Sequence, residues 1–358
     1  MINVLTHENV ILKISLDKLR HNIQHSIDLC KAKSIDLVVV SKSICADQKI
    51  IDVINEFPIK TIADSRIANF AKMKTDKKKL LIRPTAPKEA YDLIRYCDIS
   101  CQSNLDSLKA IGDMCVRENT THEILLMIDM GDLRDGLVFT DSEQILKVAR
   151  FVHEHPRLRL VGVATNYNCF YGLQPNNNNM NHFGKIHDLI LNAGLYDTDS
   201  PIVSGGNSSS ITILNDTSKY TLDPVITDLR LGEVIVTGRD SHDKAIIDNY
   251  YSDVFVLEVP IIEIYEKPVN LGDVPEGAAV SDSRMRRAVL SIGRQDIYFE
   301  EMVPLDTRVK LLGASSDMAV LDIGDCDYKV GDKMRFGLIY DALMTLYAGT
   351  FVKFIYED

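Results

Sequence analysis

Short apolar runs alternate with amphipathic segments along the first two thirds of the chain. The runs are rich in valine, isoleucine and leucine without polar alternation, which is typical of parallel strands covered on both faces. Between them, residues 103–116 and 141–153 place apolar side chains three or four positions apart, and this spacing predicts helices. We expect eight strands, at 37–41, 59–63, 80–83, 97–101, 124–129, 160–165, 202–204 and 229–236.

Eight strands with helices between them predict an α/β fold, a (β/α)₈ TIM-like barrel, with a doubly wound sheet as the alternative. After residue 239 the pattern changes to strand-like runs separated by Gly, Pro and Asp turns, as in an all-β domain. We therefore expect a barrel over residues 10–239 and a C-terminal β domain over 240–358, with residues 1–9 a candidate to join that domain. The asparagine run at 176–179 predicts a loop tip.

Composition narrows the classes of function. The chain has 358 residues, 46% of them hydrophobic, and a net charge of −11, which argues against a nucleic-acid partner because phosphates need a basic surface. No apolar run approaches the ~20 residues of a membrane span, and the first thirty residues lack a signal-peptide core, so we expect a cytoplasmic protein. The seven cysteines lack C-x-x-C spacing, which favours free thiols over disulfides or a metal site.

A lysine stands directly after the first predicted barrel strand. Leu37 and three valines are followed by Ser41 and Lys42. The carboxyl ends of barrel strands are where barrel enzymes place their chemistry. Lys42 is therefore either a solvated strand-end lysine or a lysine that forms a Schiff base with a cofactor.

Other predicted strands also end in polar residues, which a barrel would bring to the same face. For Asp64 and Ser65, helix capping is the simpler interpretation. The turn at 204–208, Ser-Gly-Gly-Asn-Ser, is either a structural glycine turn or a phosphate cradle made of free backbone amides. The remaining polar strand ends are Arg66, Arg83, Asp129, Arg134, Asn166 and Arg230.

These motifs, taken together and in order, resemble the alanine racemase-like pyridoxal 5'-phosphate (PLP) enzymes, and most closely their ornithine racemase branch. The resemblance covers nearly the whole chain. Its motifs are 40–43 VSKS, 63–66 ADSR, 129–136 DMGDLRDG, 204–208 SGGNS, 229–233 LRLGE, 292–296 IGRQD, 312–317 LGASSD and 340–343 YDAL.

The resemblance implies a role for each matching residue. Lys42 would hold PLP covalently and move the α-proton of an amino acid on one face. Arg134 would lie near the ring hydroxyl, and Arg230 would face the pyridine nitrogen, where a permanent charge weakens the electron sink and favours reprotonation. The alternative for Arg230 is a salt bridge to Asp228 or Glu233. The residues implied to hold the phosphate and its surroundings are Ser208, Gly232, Glu233, Tyr340, Asn207 and Asn166, of which Tyr340 is alternatively a core residue.

The base on the opposite face is the main departure from the family pattern. The family's tyrosine is missing around residues 280–283, Met127 stands in place of a lysine, and Asn166 stands in place of a histidine. Cys169, Asp282 and Asp317 are candidates, with Asp317 or Cys169 preferred. Cys169 is alternatively a buried apolar thiol and Asp282 a turn residue.

The resulting hypothesis is a PLP-dependent amino-acid racemase, an isomerase of amino-acid metabolism acting on a basic amino acid, with ornithine first and lysine or alanine as alternatives. Asp132, Asp135 and Asp317 are candidates to pair with a distal ammonium, although such residues are more often solvated surface. The resemblance also implies a homodimer with shared active sites, in which Asp317 reaches across the interface. Two other classes stay open: a decarboxylase or D-amino-acid lyase on the same plan, and a PLP-binding protein without turnover.

Overall fold

The structure, a computed structural model, describes residues 10–215, 221–268, 283–349 and 351–358. The chain forms two compact units. One is Leu19–Tyr250, and the other combines the described residues of Met1–Lys18 with those of Tyr251–Asp358. The sequence analysis placed the division at residues 239 and 240 and counted residues 10–18 with the barrel, so the observed units differ from that expectation at both ends.

The helices and strands before Tyr251 follow the alternation expected from the sequence. They are β1 Ile11–Ser15, α1 Leu16–Ala32, β2 Asp36–Val40, α2 Gln48–Asn55, β3 Thr61–Asp64, α3 Ile67–Lys72, β4 Lys78–Leu81, α4 Ala90–Tyr96, β5 Ile99–Gln102, α5 Leu105–Arg117, β6 His122–Asp129, β7 Leu137–Val138, α6 Ser142–Glu154, β8 Leu158–Thr165, α7 Asn177–Asn192, β9 Ile202–Ser204, α8 Ile211–Asn215, β10 Asp228–Leu231 and α9 Glu233–Thr237.

Within the described residues, eight parallel strands close into a barrel. Going around it, β2, β3, β4, β5, β6, β8, β9 and β10 pair in turn, and β10 returns to β2. This confirms the predicted barrel, since a doubly wound sheet would leave two open edges. Apolar side chains from facing strands fill the interior, including Val38, Val40, Leu125 and Met127. Such burial stabilises the fold by roughly 1.5–3 kcal/mol for each large aliphatic side chain.

Two predicted elements were wrong in kind. The strand predicted at 229–236 ends at Leu231, and Glu233–Thr237 is a helix that begins after Gly232. A Cβ at Gly232 would lie 2.8 Å from the Val40 carbonyl oxygen, so the turn depends on this close approach to β2. The run 176–179 is not a loop tip. Asn176 caps α7, and the Asn179 side chain accepts from the Asn176 amide in a capping box.

The second unit is built on an antiparallel sheet. Its elements are β11 Phe255–Pro268, β12 Arg284–Leu290, β13 Met302–Pro304, β14 Lys310–Ala314, β15 Ala319–Asp322, β16 Lys333–Leu338, α10 Tyr340–Ala348 and β17 Lys353–Glu357. Among the described residues the strand order is β13, β16, β11, β12, β15, β14. The all-β C-terminal domain is thus confirmed, and β1 belongs to its sheet, because β1 pairs antiparallel with β11 and parallel with β17.

In the part of the chain that the structure describes, we found no helix that is long and apolar enough to cross a membrane.

Candidate active site

Lys42 lies at the carboxyl end of β2, in a 3₁₀ turn that spans Lys42–Ile44. The preceding residue is fixed to β3: the Ser41 amide donates to the Ala63 carbonyl over 2.8 Å, and its hydroxyl donates to Asp64 Oδ2 over 2.8 Å. Asp64 is fully buried and also accepts from the Arg66 amide and from Asn69, at 2.9 and 3.0 Å. Burial raises the pKa of Asp64, and these hydrogen bonds oppose the rise. Asp64 therefore ties the lysine turn to the strand beside it.

Arg230, on β10, is a fully buried cation held by neutral oxygens. Its Nη1 donates to the Ser204 hydroxyl, and its Nη2 donates to the Thr165 carbonyl and, over 2.8 Å, to Asn166 Oδ1. The alternative of a salt bridge to Asp228 or Glu233 is wrong: Asp228 accepts from Ser204, and Glu233 pairs with Lys244 over 2.9 Å. In the described residues every hydrogen bond of the guanidinium uses an Nη atom. This arrangement leaves Nε for a ligand.

The glycine turn after β9 packs against the start of α9. Gly206 has a φ of +124°, and a Cβ there would lie 2.4 Å from Ser210 Oγ, so the turn requires glycine. The Ser208 hydroxyl accepts from the Gly232 amide over 3.0 Å, which leaves its own proton for another acceptor. Asn207 supports the turn, because its Oδ1 accepts from the Tyr167 amide over 3.1 Å.

The loop after β6 carries Arg134. Asp129 holds this loop by accepting from the amides of Gly131 and Leu133, at 2.8 and 3.1 Å. The Arg134 guanidinium donates from Nε to Asp135 Oδ1 over 2.6 Å. Its side chain is about a third exposed, at 36%. Arg134 is thus presented at the surface of the barrel end with one of its nitrogens already engaged.

Cys169 lies on the loop after β8, among several charged groups of the site. The residue as a whole is exposed, and its Sγ accepts from Asn207 Nδ2 over 3.4 Å. Surrounding protein atoms raise the pKa of the thiol by desolvation, Asp132 raises it further, and the charges of Arg134, Lys42 and Arg230 lower it. The hydrogen bonds of Cys169 to Asp132, on the loop after β6, and to Asn207, on the turn after β9, place it between the strand ends on either side of β8. The structure therefore brings together the residues that the sequence placed on separate strand ends.

Two predicted site residues lie in the other unit. Asp317 is exposed, accepts from Ser315 and Ser316 over 2.9 and 3.3 Å, and lines a cavity of about 330 Å³ in that unit. Tyr340 is buried at the first position of α10. The third candidate for the opposite-face base, Asp282, lies outside the described residues.

The comparisons with known proteins bear on the family and the fold of this chain. Residues 14–237 match the family model "Alanine racemase, N-terminal domain". The chain belongs to the alanine racemase family. This family member is 33% identical to ornithine racemase of Acetoanaerobium sticklandii over 352 residues, covering 96% of this chain and 98% of that protein. It is 30% identical to lysine racemase of Thermotoga maritima over 360 residues, covering 97% and 98% of the two chains.

Solved structures with the same fold superpose on nearly the whole length of this family member. Alanine racemase of Clostridium difficile 630 superposes with a TM-score of 0.71 at 16% identity, over 100% of this chain and 97% of that one. Alanine racemase of Bartonella henselae with covalently bound pyridoxal phosphate gives 0.71 at 14% identity, over 98% and 99%. At such low identity these superpositions show the shared two-unit fold alone.

The sequence analysis missed residues whose hydrogen bonds hold other site residues in place. Asp132 was expected to be either solvated or a partner of a distal ammonium, but its side chain is buried and accepts from three backbone amides at residues 169–171. Ser204 was noted only as a strand-end residue, yet it links Arg230 to Asp228. No sequence signal marks these roles, because each partner lies on another strand or on the loop after one, 24 to 39 residues away.

Proposed function

We propose that this protein is a PLP-dependent racemase that interconverts the L and D forms of a basic amino acid, with ornithine as the first candidate substrate and lysine as the second. One feature of the fold carries the proposal: Lys42 follows β2, Arg230 lies on β10, and Arg134 and Cys169 lie on the loops after β6 and β8, so all four belong to carboxyl ends of strands in one closed barrel. The two full-length relatives, an ornithine racemase and a lysine racemase, support the substrate class.

The residues present fit PLP. Ser208 keeps a hydroxyl proton, and the turn around Gly206 and Gly232 has no room for side chains, which suits close approach of a phosphate to backbone. Arg230 keeps Nε for the pyridine nitrogen while its Nη atoms are engaged. Lys42 is partly buried at the neighbouring strand end, where it would bind the aldehyde carbon.

When bound, PLP withdraws electrons from the α-carbon of the attached amino acid and makes its proton acidic. Lys42 would then take or return that proton on one face. Among the described residues only Nε of Arg134 has an acceptor, and its two Nη groups would suit an anion such as the ionised ring hydroxyl or the substrate carboxylate. Arg230, permanently charged, keeps the pyridine nitrogen unprotonated and so favours rapid return of the proton over side reactions.

We assign the opposite-face proton to Cys169 rather than to Asp317. Cys169 lies on the loop after β8, at the end of the barrel that carries Lys42, whereas Asp317 belongs to the other unit. The raised pKa of its thiol keeps Cys169 protonated at neutral pH, so it would act first as the proton donor. Asp317 stays the second candidate, and its reach into the site of a partner copy, like the homodimer itself, stays a prediction. Cytoplasmic location stays a prediction too.

Two carboxylates keep an oxygen for the distal ammonium of a basic substrate. Asp135 Oδ2 is buried and has no donor among the described residues. Asp317 accepts hydrogen bonds only at Oδ1 within the same set of residues. Asp132 drops out of this group, because backbone amides occupy both of its oxygens.

The test is product chirality. PLP-loaded wild type, Lys42→Ala and the exposed-lysine control Lys31→Ala are incubated with L-ornithine, L-lysine and L-alanine, and the D forms are measured by chiral chromatography. The D form of a basic amino acid should appear with wild type and Lys31→Ala but not with Lys42→Ala. Bound PLP with no D product from any amino acid would favour a PLP-binding protein without turnover and contradict the proposal.

A further inference from the structure

Asp132 joins two strand-end loops that lie far apart in sequence. It is buried, with 3% of its surface exposed. Its Oδ2 accepts from the amides of Cys169 and Phe170, at 3.0 and 3.1 Å, and its Oδ1 accepts from the amide of Tyr171 over 3.2 Å. The Tyr171 amide also approaches the Asp132 main-chain oxygen, at 3.2 Å. A single carboxylate thus receives every amide of a three-residue segment.

We propose that Asp132 is a positioning residue that fastens the Cys169 loop to the loop of Arg134 and so holds the thiol for proton transfer at the end of the barrel that carries Lys42. This inference rests on the proposed function, because the position of the thiol matters only if Cys169 transfers the proton on the opposite face. It concerns how the thiol is held and does not depend on which basic amino acid is the substrate.

The hydrogen bonds from the amides of residues 169–171 to the Asp132 carboxylate, which we call the Asp132 clamp, are strong enough to order this segment. A buried carboxylate is costly unless it is hydrogen bonded, and hydrogen bonds to a charged acceptor contribute about 1.5–3 kcal/mol each. The loop has other hydrogen bonds as well, including that from the Asn168 amide to the Leu173 carbonyl over 2.8 Å and that from Asn207 Nδ2 to the Cys169 thiol over 3.4 Å, but neither involves the amides of residues 169–171. The side chains of Phe170 and Tyr171 are both 72% exposed, so apolar packing contributes little there. The Asp132 carboxylate is therefore the side chain that holds all three amides of residues 169–171.

The clamp also fixes the electrostatic surroundings of the thiol. Arg134 is two residues from Asp132 on the same loop, and both act on Cys169. Asp132 opposes the effect of the nearby cations, since its charge raises the pKa of the thiol, whereas Arg134 and Lys42 lower it. Replacing Asp132 by asparagine removes the charge and keeps the shape of the side chain. It should therefore change both the position and the pKa of the Cys169 thiol.

The test compares Asp132→Asn with the matched control Asp197→Asn in PLP-loaded protein. Asp197 accepts from the Leu160 amide over 2.7 Å at the opposite end of β8, the strand that leads to Cys169. Two quantities are measured: the rate of iodoacetamide labelling of the Cys169 peptide against pH, and kcat and KM with each α-deuterated enantiomer.

For Asp132→Asn we expect labelling at pH 7 to rise by about threefold or more, with its midpoint at lower pH. We expect kcat to fall by about tenfold or more, with a larger deuterium isotope effect for one enantiomer than for the other. Asp197→Asn should leave all of these quantities within about twofold of wild type. An Asp132→Asn protein that matches wild type in labelling and in the isotope effects would overturn the proposal.

Amide hydrogen exchange in wild type provides a measurement that needs no variant to fold. The amides of residues 169–171 should be protected despite their exposed side chains. Unprotected exchange at the amides of residues 169, 170 and 171 would contradict the proposal that Asp132 holds this segment. Failure of the proposed function is recognised separately: wild type would then not racemise any amino acid, while the labelling and exchange results would still decide the role of Asp132.

Discussion

Asp135 accepts a hydrogen bond from Arg134 Nε over 2.6 Å, while its second carboxylate oxygen is buried with no donor in the described residues. The two residues are neighbours in the chain, so the pairing needs no distant partner. It leaves the two Nη groups of Arg134 together on the other edge of the guanidinium, and two parallel N–H groups match the geometry of an anionic ligand.

The first prediction concerns this pair. Asp135→Asn should lower kcat/KM by about tenfold or more, because an uncharged amide holds the guanidinium less firmly. Asp135→Glu should recover part of the loss, since it keeps the charge. Steady-state kinetics on PLP-loaded variants check this, with Asp141→Asn, at the cap of α6, as control. Equal kinetics for Asp135→Asn and wild type would contradict the role given to Asp135.

The second prediction concerns Arg230. Arg230→Lys should lower kcat/KM by about a hundredfold and weaken PLP retention, because an ammonium cannot bridge Ser204, Thr165 and Asn166 and also reach a ligand. The buried acceptors that lose their donor should also cost about 1–3 kcal/mol of stability. Kinetics, PLP absorbance after gel filtration and urea unfolding measure the three effects. A fully active Arg230→Lys enzyme would argue against a bridging guanidinium.

The third prediction concerns Cys169. Cys169→Ser should lower kcat by about 10²–10⁴, the usual contribution of a positioned acid or base. Neighbouring protein atoms partly desolvate this thiol and raise its pKa above its ordinary value near 9, so the thiolate that accepts a proton forms only at alkaline pH. The rate in the direction that needs the thiolate should therefore rise with pH in wild type, and this rise should vanish in Cys169→Ser.

Cys45→Ser, at a partly buried cysteine, is the matched control and should keep the wild-type pH profile. If Cys169→Ser retained activity while Asp317→Asn lost it, the role of acid and base on the opposite face would belong to Asp317 and not to Cys169.

The fourth prediction concerns acid stability. Burial lowers the pKa of His122 from 6.5 to about 4, and its ring contacts Ser100 Oγ at 3.0 Å. The unfolded chain binds a proton at this residue below pH 6.5 while the folded chain does not, so stability falls as the pH drops from 6.5 towards 4. By pH 4.5 this group should cost about 2–3 kcal/mol.

Urea unfolding at pH 4.5 and pH 7.5 checks the effect. His122→Gln should lack this part of the pH dependence, because glutamine does not titrate. An unchanged pH dependence in the variant would show that other groups govern acid unfolding.

The barrel was predictable because both faces of its strands are covered, which removes polar positions from runs such as 37–41 and leaves a clear signal. The position of Lys42 followed from the same pattern, since it is the first charge after such a run. The error at 229–236 arose because Val234, Ile235 and Val236 are β-branched residues buried in a short helix, where tertiary packing overrides local preference.

The hydrogen bonds that hold the site residues in place could not be predicted from the sequence. Asp132 meets residues 169–171 only because β6 and β8 are neighbours in the closed barrel, and their pairing register is a property of the fold. The same holds for Ser204 and Arg230, which lie on adjacent strands. The asparagine run was misleading for a different reason: asparagine is frequent both in loops and at helix N-caps, and only the observed capping box distinguishes the two.

The central claim, proton transfer on two faces of the α-carbon of a basic amino acid, is tested most directly by proton NMR in D₂O. PLP-loaded wild type is given L-ornithine and, separately, D-ornithine, and the loss of the α-proton is followed together with the chirality of the product. We expect the α-proton to be lost from both enantiomers, with deuterium in both products and no exchange in Lys42→Ala. If the loaded wild-type enzyme leaves the α-protons of ornithine and of lysine in place, the account is wrong.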